Sequence, residues 1–155
     1  MVGKGFFLLL VSVATVAAEL GCEPGWTLGK GTDQCYKRVD GLADYDKAFE
    51  ICKGLDAGLP NIHSQAENDV IHSMEIPNQL VRLGAKRVSG AKYDFIWMNG
   101  SPMDFKKFND YYMDNSNGNE NCLDMSHGDT WNDIPCHMPE LVVCQKKATH
   151  VSSGK

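Results

Sequence analysis

The sequence predicts an α+β fold, with two helices packed on small antiparallel sheets and one long loop. Three observations point there. Strand-like alternation occurs near both ends of the chain, at residues 26–39 and 123–144. Two stretches between them carry apolar residues at three- and four-residue spacing. Residues 109–121, rich in Asn, Asp, Gly and Tyr, follow neither period and read as a loop. Strands and helices gathered in separate runs, not alternating one by one, are the α+β pattern.

The chain has 155 residues, enough for one domain with its own core. Residues 1–18 read as a signal peptide: Lys4 supplies the positive start, residues 6–18 are almost wholly apolar, and Val16-Ala17-Ala18 offers small residues for cleavage. The apolar run is shorter than the ~20 residues a membrane span needs, so the expectation is a secreted, extracellular protein that starts near Glu19 and does not span a membrane. Six cysteines, Cys22, Cys35, Cys52, Cys122, Cys136 and Cys144, then imply three disulfides in an oxidising compartment. About fifteen pairings are open on spacing alone. A zinc site would want a close Cys-x-x-Cys pair, which the sequence lacks. The net charge of −5 falls to −6 without Lys4 and repels phosphate backbones, so no nucleic-acid partner is expected.

Pro24-Gly25 marks a turn, Trp26 and Leu28 alternate, and the Gly29 to Asp33 stretch is a tight loop before a second strand, so this region reads as a hairpin. The first helix is expected from Asp44 to Leu55, its inward stripe formed by Tyr45, Ala48, Phe49, Cys52 and Leu55, with left-handed caps at Gly54 and Gly58. Ser64-Gln-Ala-Glu67 is a capping box that opens a second helix, with Val70, Ile71 and Met74 inward and Pro77 beyond its end. Asn99-Gly100 between apolar residues signals a hairpin turn. The sequon Asn99-Gly-Ser is expected to stay mostly unmodified, because Pro102 follows it. Phe108 and Cys122 tie both ends of the long loop to the core, and a tied loop of this length favours function. Residues 145–155, polar and basic, read as a frayed tail.

The stretch Cys122-Leu-Asp-Met, Gly128-Asp-Thr-Trp131-Asn-Asp-Ile-Pro-Cys136 and Leu141-Val-Val-Cys144 resembles the C-terminal half of a C-type lectin domain. Upstream, Leu59-Pro-Asn-Ile62-His-Ser64-Gln-Ala-Glu67 is similar to the family's entry to its second helix. Leu80-Val-Arg-Leu83-Gly84 resembles its central strand, with Arg82 where an aromatic often stands. The resemblance covers residues 22–145, the expected domain, and leaves residues 146–155 as a tail. It implies the pairings Cys22–Cys35, Cys52–Cys144 and Cys122–Cys136, the first closing the extra hairpin of the family's long form.

Sugar-binding members of that family hold one Ca²⁺ at the long loop, and two sugar hydroxyls join the metal's ligand shell. Carried over residue by residue, the resemblance implies Glu120, Asn132 and Asp133 as ligands, with Asp114 in the remaining triplet Tyr112-Met113-Asp114. These are oxygen donors, which a hard cation prefers. The same four residues, with Tyr112, are then the carbohydrate contacts. The triplet departs from the family's pattern in two ways. A neutral phenol at Tyr112 is a poor Ca²⁺ ligand, and Met113 replaces a proline, so a trans peptide and a different loop shape are expected here. Asp110 or Asn115 would complete the shell. The family's auxiliary Ca²⁺ site is expected to be absent, because Lys86, Arg87 and Ala91 lie where its acids would be and Asn121 replaces another.

His63, His72, His127, His137 and His150 have no tight ligand spacing and read as ordinary turn or surface residues. Tyr93, Tyr111 and Tyr112 could stack on sugar faces or anchor the loop. The sequence offers no nucleophile–base pair or paired-acid motif, so an enzyme is not expected. The expected function is a secreted Ca²⁺-dependent lectin for a carbohydrate or glycoprotein ligand, with a place in innate recognition. The alternative is a Ca²⁺-independent module on the same fold that binds a protein or another surface, with Tyr112-Met113-Asp114 as the degenerate triplet.

Overall fold

In the computed structural model, residues 18–126 and 128–152 are described. The expected signal peptide lies almost wholly outside them, as does His127. The chain runs β1 (Ala18–Gly21), β2 (Thr27–Leu28), β3 (Gln34–Ala43), α1 (Tyr45–Lys53), α2 (Gln65–Ser73), β4 (Val81–Arg87), β5 (Phe95–Trp97), β6 (Cys122–Ser126), β7 (Thr130–Ile134), β8 (Glu140–Lys147) and β9 (Thr149–Ser152). Seven strands form one sheet in the order β2-β3-β8-β4-β6-β7, with β5 on β4, and β1 pairs with β9 in a separate ribbon. The β4–β8 pair is parallel and the remaining ladders are antiparallel.

Each helix starts where its cap dictates. The Asp44 side chain accepts from Lys47 N and that of Ser64 from Glu67 N. Glu67 reaches back one residue further than a capping box requires, and its Oε2 accepts from His63 N at 2.6 Å. The α1 stripe is narrower than its spacing suggests: Tyr45, Ala48 and Cys52 are buried but Phe49 is exposed. Gly54 stays right-handed at φ −65, and the left-handed turn falls instead on Asp56 at φ 51. Asp tolerates that conformation, and Ala57 N can then close back on Cys52 O at 3.0 Å.

Two core clusters flank the sheet. One gathers Ile71 of α2 with Leu83, Trp97, Leu123, Met125 and Trp131, and the other gathers Ala48 and Cys52 of α1 with Val142 and Cys144. The disulfides are Cys22–Cys35, Cys52–Cys144 and Cys122–Cys136, as the resemblance implied. The second closes a separation of 92 residues and ties α1 to β8. In the chain-entropy picture a loop that long contributes roughly 4–5 kcal/mol.

Two further expectations fail. Asn99-Gly100 makes a turn, with Gly100 at φ +81, but no hairpin follows it. Asn99 Oδ1 accepts from Ser101 N at 3.0 Å and from Ser101 Oγ at 2.7 Å, and Pro102 then has no N–H for a ladder. The tail is not frayed through residue 152. Residues 145–147 belong to β8, and β9 pairs with β1 from Gly21↔Thr149 to Ala18↔Ser152. Ion pairs Lys146–Glu23 and Lys147–Asp33, with Ala148 N donating to Asp33 O, hold this end to the N-terminal hairpin.

Candidate functional site

The site is built outward from Trp131. Its ring is fully buried, and its Nε1 donates to Asn68 Oδ1 of α2 at 2.7 Å. Backbone bonds from Trp131 N to Lys107 O and from Asn109 N to Trp131 O, each 2.8 Å, clamp the start of the long loop to β7. Phe108 meets the Trp131 ring edge-on at 5.7 Å. Met113 anchors the middle of the loop, because its side chain is fully buried in the main core cluster. The apolar residue that departs from the family triplet thus does packing work.

Asp133 lies two residues beyond Trp131 and is also fully buried. A buried carboxylate must find donors. Asp114 N donates to its Oδ1 at 3.1 Å and Asn115 N to its Oδ2 at 3.0 Å. The loop therefore folds around this one side chain. Asn115 and Asn117 take left-handed φ of 47 and 56, which asparagine tolerates, and Gly118 follows at 68. That sharp reversal carries Glu120 back, so that its Oε2 accepts from Ser116 N at 2.7 Å and its N donates to Asn115 Oδ1 at 3.2 Å.

The result is a convergence of acids. One carboxylate oxygen each from Asp114, Glu120 and Asp133 lie within 4.8 Å of one another, and Asp114 is exposed, Glu120 half-buried and Asp133 buried. Burial pushes the Glu120 carboxyl above the ordinary carboxylate range, and the charges of Asp133 and Asp114 add to the push against the Ser116 N–H. Asn132 stands in register with Asp124 of β6, and its Oδ1 is buried without a hydrogen-bond partner.

Other expected residues go elsewhere. The Tyr112 ring packs edge-on against Tyr111 at 4.9 Å. Asp110 accepts the Tyr93 hydroxyl at 2.6 Å, and Asn115 is used in capping Glu120. Tyr93 stacks on Phe108 at 5.4 Å and so anchors the loop, whereas Tyr111 is 83% exposed. Peptide bonds of the described residues are all trans. His63 pairs with Asp104 at 2.6 Å and His72 with Glu75 at 3.3 Å.

Two buried charge pairings escaped the sequence reading. The Arg87 side chain is 2% exposed and forms an ion pair with Asp133 Oδ2. Its place among the family's expected acids was visible as a reversed charge, but its partner 46 residues away was not. Arg82 and Asp124 face each other across β4 and β6 and are both buried. Burial foremost, with the Glu140 charge, pushes the Asp124 carboxyl up from 3.8 to about 8.

Known proteins place this geometry. The description "Lectin C-type domain" matches residues 42–146. C-type lectin domain family 17, member A, of Homo sapiens is 27% identical over 131 residues, which cover 84% of this chain and only 34% of that protein's length. The cow C-type carbohydrate-recognition domain of CD23, solved in the presence of a GlcNAc2Man3 oligosaccharide, is 25% identical and superposes with a TM-score of 0.74 over 84% of this chain and 98% of its own. A calcium-independent type II antifreeze protein, 24% identical, shares the fold at a TM-score of 0.72 over 84% and 98%. With its three disulfides and its acid-lined long loop, the chain belongs to the C-type lectin domain family.

Proposed function

We propose that this domain is a binding module, not an enzyme, and that its long loop holds one Ca²⁺ through which it takes carbohydrate hydroxyls. The observation that carries the reading is the gathering of Asp114, Glu120 and Asp133 within 4.8 Å. Carboxylates that close repel unless a proton or a cation sits among them. The donor set fits a hard cation. Three carboxylates are three of the six to eight oxygens that Ca²⁺ takes, the resemblance adds Asn132 as a fourth donor, and water or sugar hydroxyls would fill the rest. When bound, the ion would supply a Lewis-acid centre for two neighbouring hydroxyls. The flanking carboxylates accept their hydrogens and the Asn132 amide donates. The partner is then a carbohydrate or glycoprotein. Residues 1–18 as a signal peptide, and three disulfides, support an extracellular setting.

Thermal unfolding with millimolar Ca²⁺ and with chelator tests the metal step, because a ligand of the folded state alone raises stability. An upward shift that Glu120→Ala abolishes is expected. No shift in the wild type would end the reading. Glycan-array binding lost on chelation is the expected outcome for the sugar step.

One observation favours a second reading. Arg87 already pairs with Asp133, so part of the acid cluster is neutralised by the chain itself. A Ca²⁺-independent module that binds protein through Tyr111, Tyr112 and the loop is the alternative, and partner binding that persists in chelator would support it.

A further inference from the structure

One carboxylate of the acid cluster, that of Asp133 on β7, already has a cation, and it is part of the chain. Arg87 ends β4 and its side chain is 2% exposed. Its Nε and Nη2 each donate to Glu120 O at 3.1 Å. Nη1 donates to Ala91 O and Lys92 O, both at 2.7 Å. Nη2 also donates to Asp133 Oδ2. The guanidinium carbon stands 4.4 Å from the Phe95 ring centroid, which closes one face. All three nitrogens are therefore in use. Their acceptors lie on three separate segments: the turn before β5, the end of the long loop, and β7.

Asp133 passes the connection on, since its two oxygens hold the amides of Asp114 and Asn115. Without Arg87 this buried carboxylate would keep its charge beside Asp114 and Glu120 with no counter-charge, an arrangement that folded proteins avoid. A guanidinium suits the post: it stays charged, and its planar fork serves several acceptors at once, which an ammonium on a flexible stem does not.

We infer that Arg87 is a resident cation that assembles the long loop without metal, so that the recognition surface persists under chelation. Arg87 is a positioning residue here and touches no ligand. The inference goes beyond the proposed metal site and holds whether or not Ca²⁺ binds.

Amide hydrogen exchange by mass spectrometry, on peptides spanning residues 109–121, tests it with wild type, Arg87→Met and Arg87→Lys, each in chelator and in Ca²⁺. Wild type in chelator should protect the amides of Asp114, Asn115 and Ser116. Arg87→Met should exchange them roughly 10- to 100-fold faster, the factor expected for losing a charge-assisted bond. Arg87→Lys, which keeps the charge, should fall between the two. Free exchange in wild type until Ca²⁺ is added would overturn the inference, and so would protection retained in Arg87→Met. Exchange in Arg87→Lys as fast as in Arg87→Met would show that a cation at this position does not hold the loop by its charge and would overturn the inference too. If Arg87→Met does not fold, the wild-type and Lys arms still decide. An unchanged melting temperature with Ca²⁺ would end the metal reading and leave this one standing.

Discussion

Asp124 shows how a single side chain can set the pH response of the domain. It is buried on β6, with Arg82 across the ladder, the Glu140 and Glu75 charges in reach, and the Ser126 hydroxyl beside it. Its carboxyl is raised from 3.8 to about 8, so the folded state prefers it protonated between those values. Its contribution to stability is then fully present below about pH 4 and is lost as pH rises toward 8. Denaturant titrations at pH 5 and pH 8 should find the wild type weaker at pH 8, with a slope of at most about 1.4 kcal/mol per pH unit from this group. Asp124→Asn should flatten that slope and be no less stable than wild type at pH 8. An unchanged slope would exclude Asp124 as its source. Glu120 shifts in the same direction for the same foremost reason, burial, with the charges of Asp133 and Asp114 adding to it.

Each element owes its place to one or two side chains. Helix α2 starts at Ser64, whose hydroxyl accepts from Glu67 N at 3.2 Å. Ser64→Ala should cost about 1 kcal/mol and lower the melting temperature by roughly 2–4 °C, with the fold intact by circular dichroism. The long loop depends on Met113, which fills the core beneath it. Met113→Ala should destabilise by about 2–4 kcal/mol, a core-cavity cost that denaturant unfolding would read, and should speed amide exchange over residues 109–121. Met113→Pro, which restores the family's residue, removes this packing and the N–H that donates to Asn109 O at 2.9 Å. The loop is therefore shaped by its own core anchor. It does not follow the proline of its relatives.

Across the whole molecule, the sheet brings distant parts of the chain together, and the Cys52–Cys144 bond locks them. Cys52→Ala with Cys144→Ala should lose roughly 2–5 kcal/mol in denaturant unfolding, the most of the three bonds, because its closed loop is the longest. The amino-acid sequence was enough to determine the two helices, the Ser64 cap of α2, the inward Leu123 and Met125 of β6, and the loop boundaries at Phe108 and Cys122. These follow from local spacing, or from motifs whose residues lie close in the chain. Local spacing misled where a partner was remote. Phe49 completes a helical stripe but stays exposed, Asn99-Gly100 has no strand to turn into, and residues 146–152 look polar until β3 and β1 pair with them. Only the tertiary structure could set Arg87 against Asp133, or Arg82 against Asp124, because each pair joins strands some 40 residues apart in sequence. Burial of a charge is decided by what surrounds it in space, and no period along the chain records that.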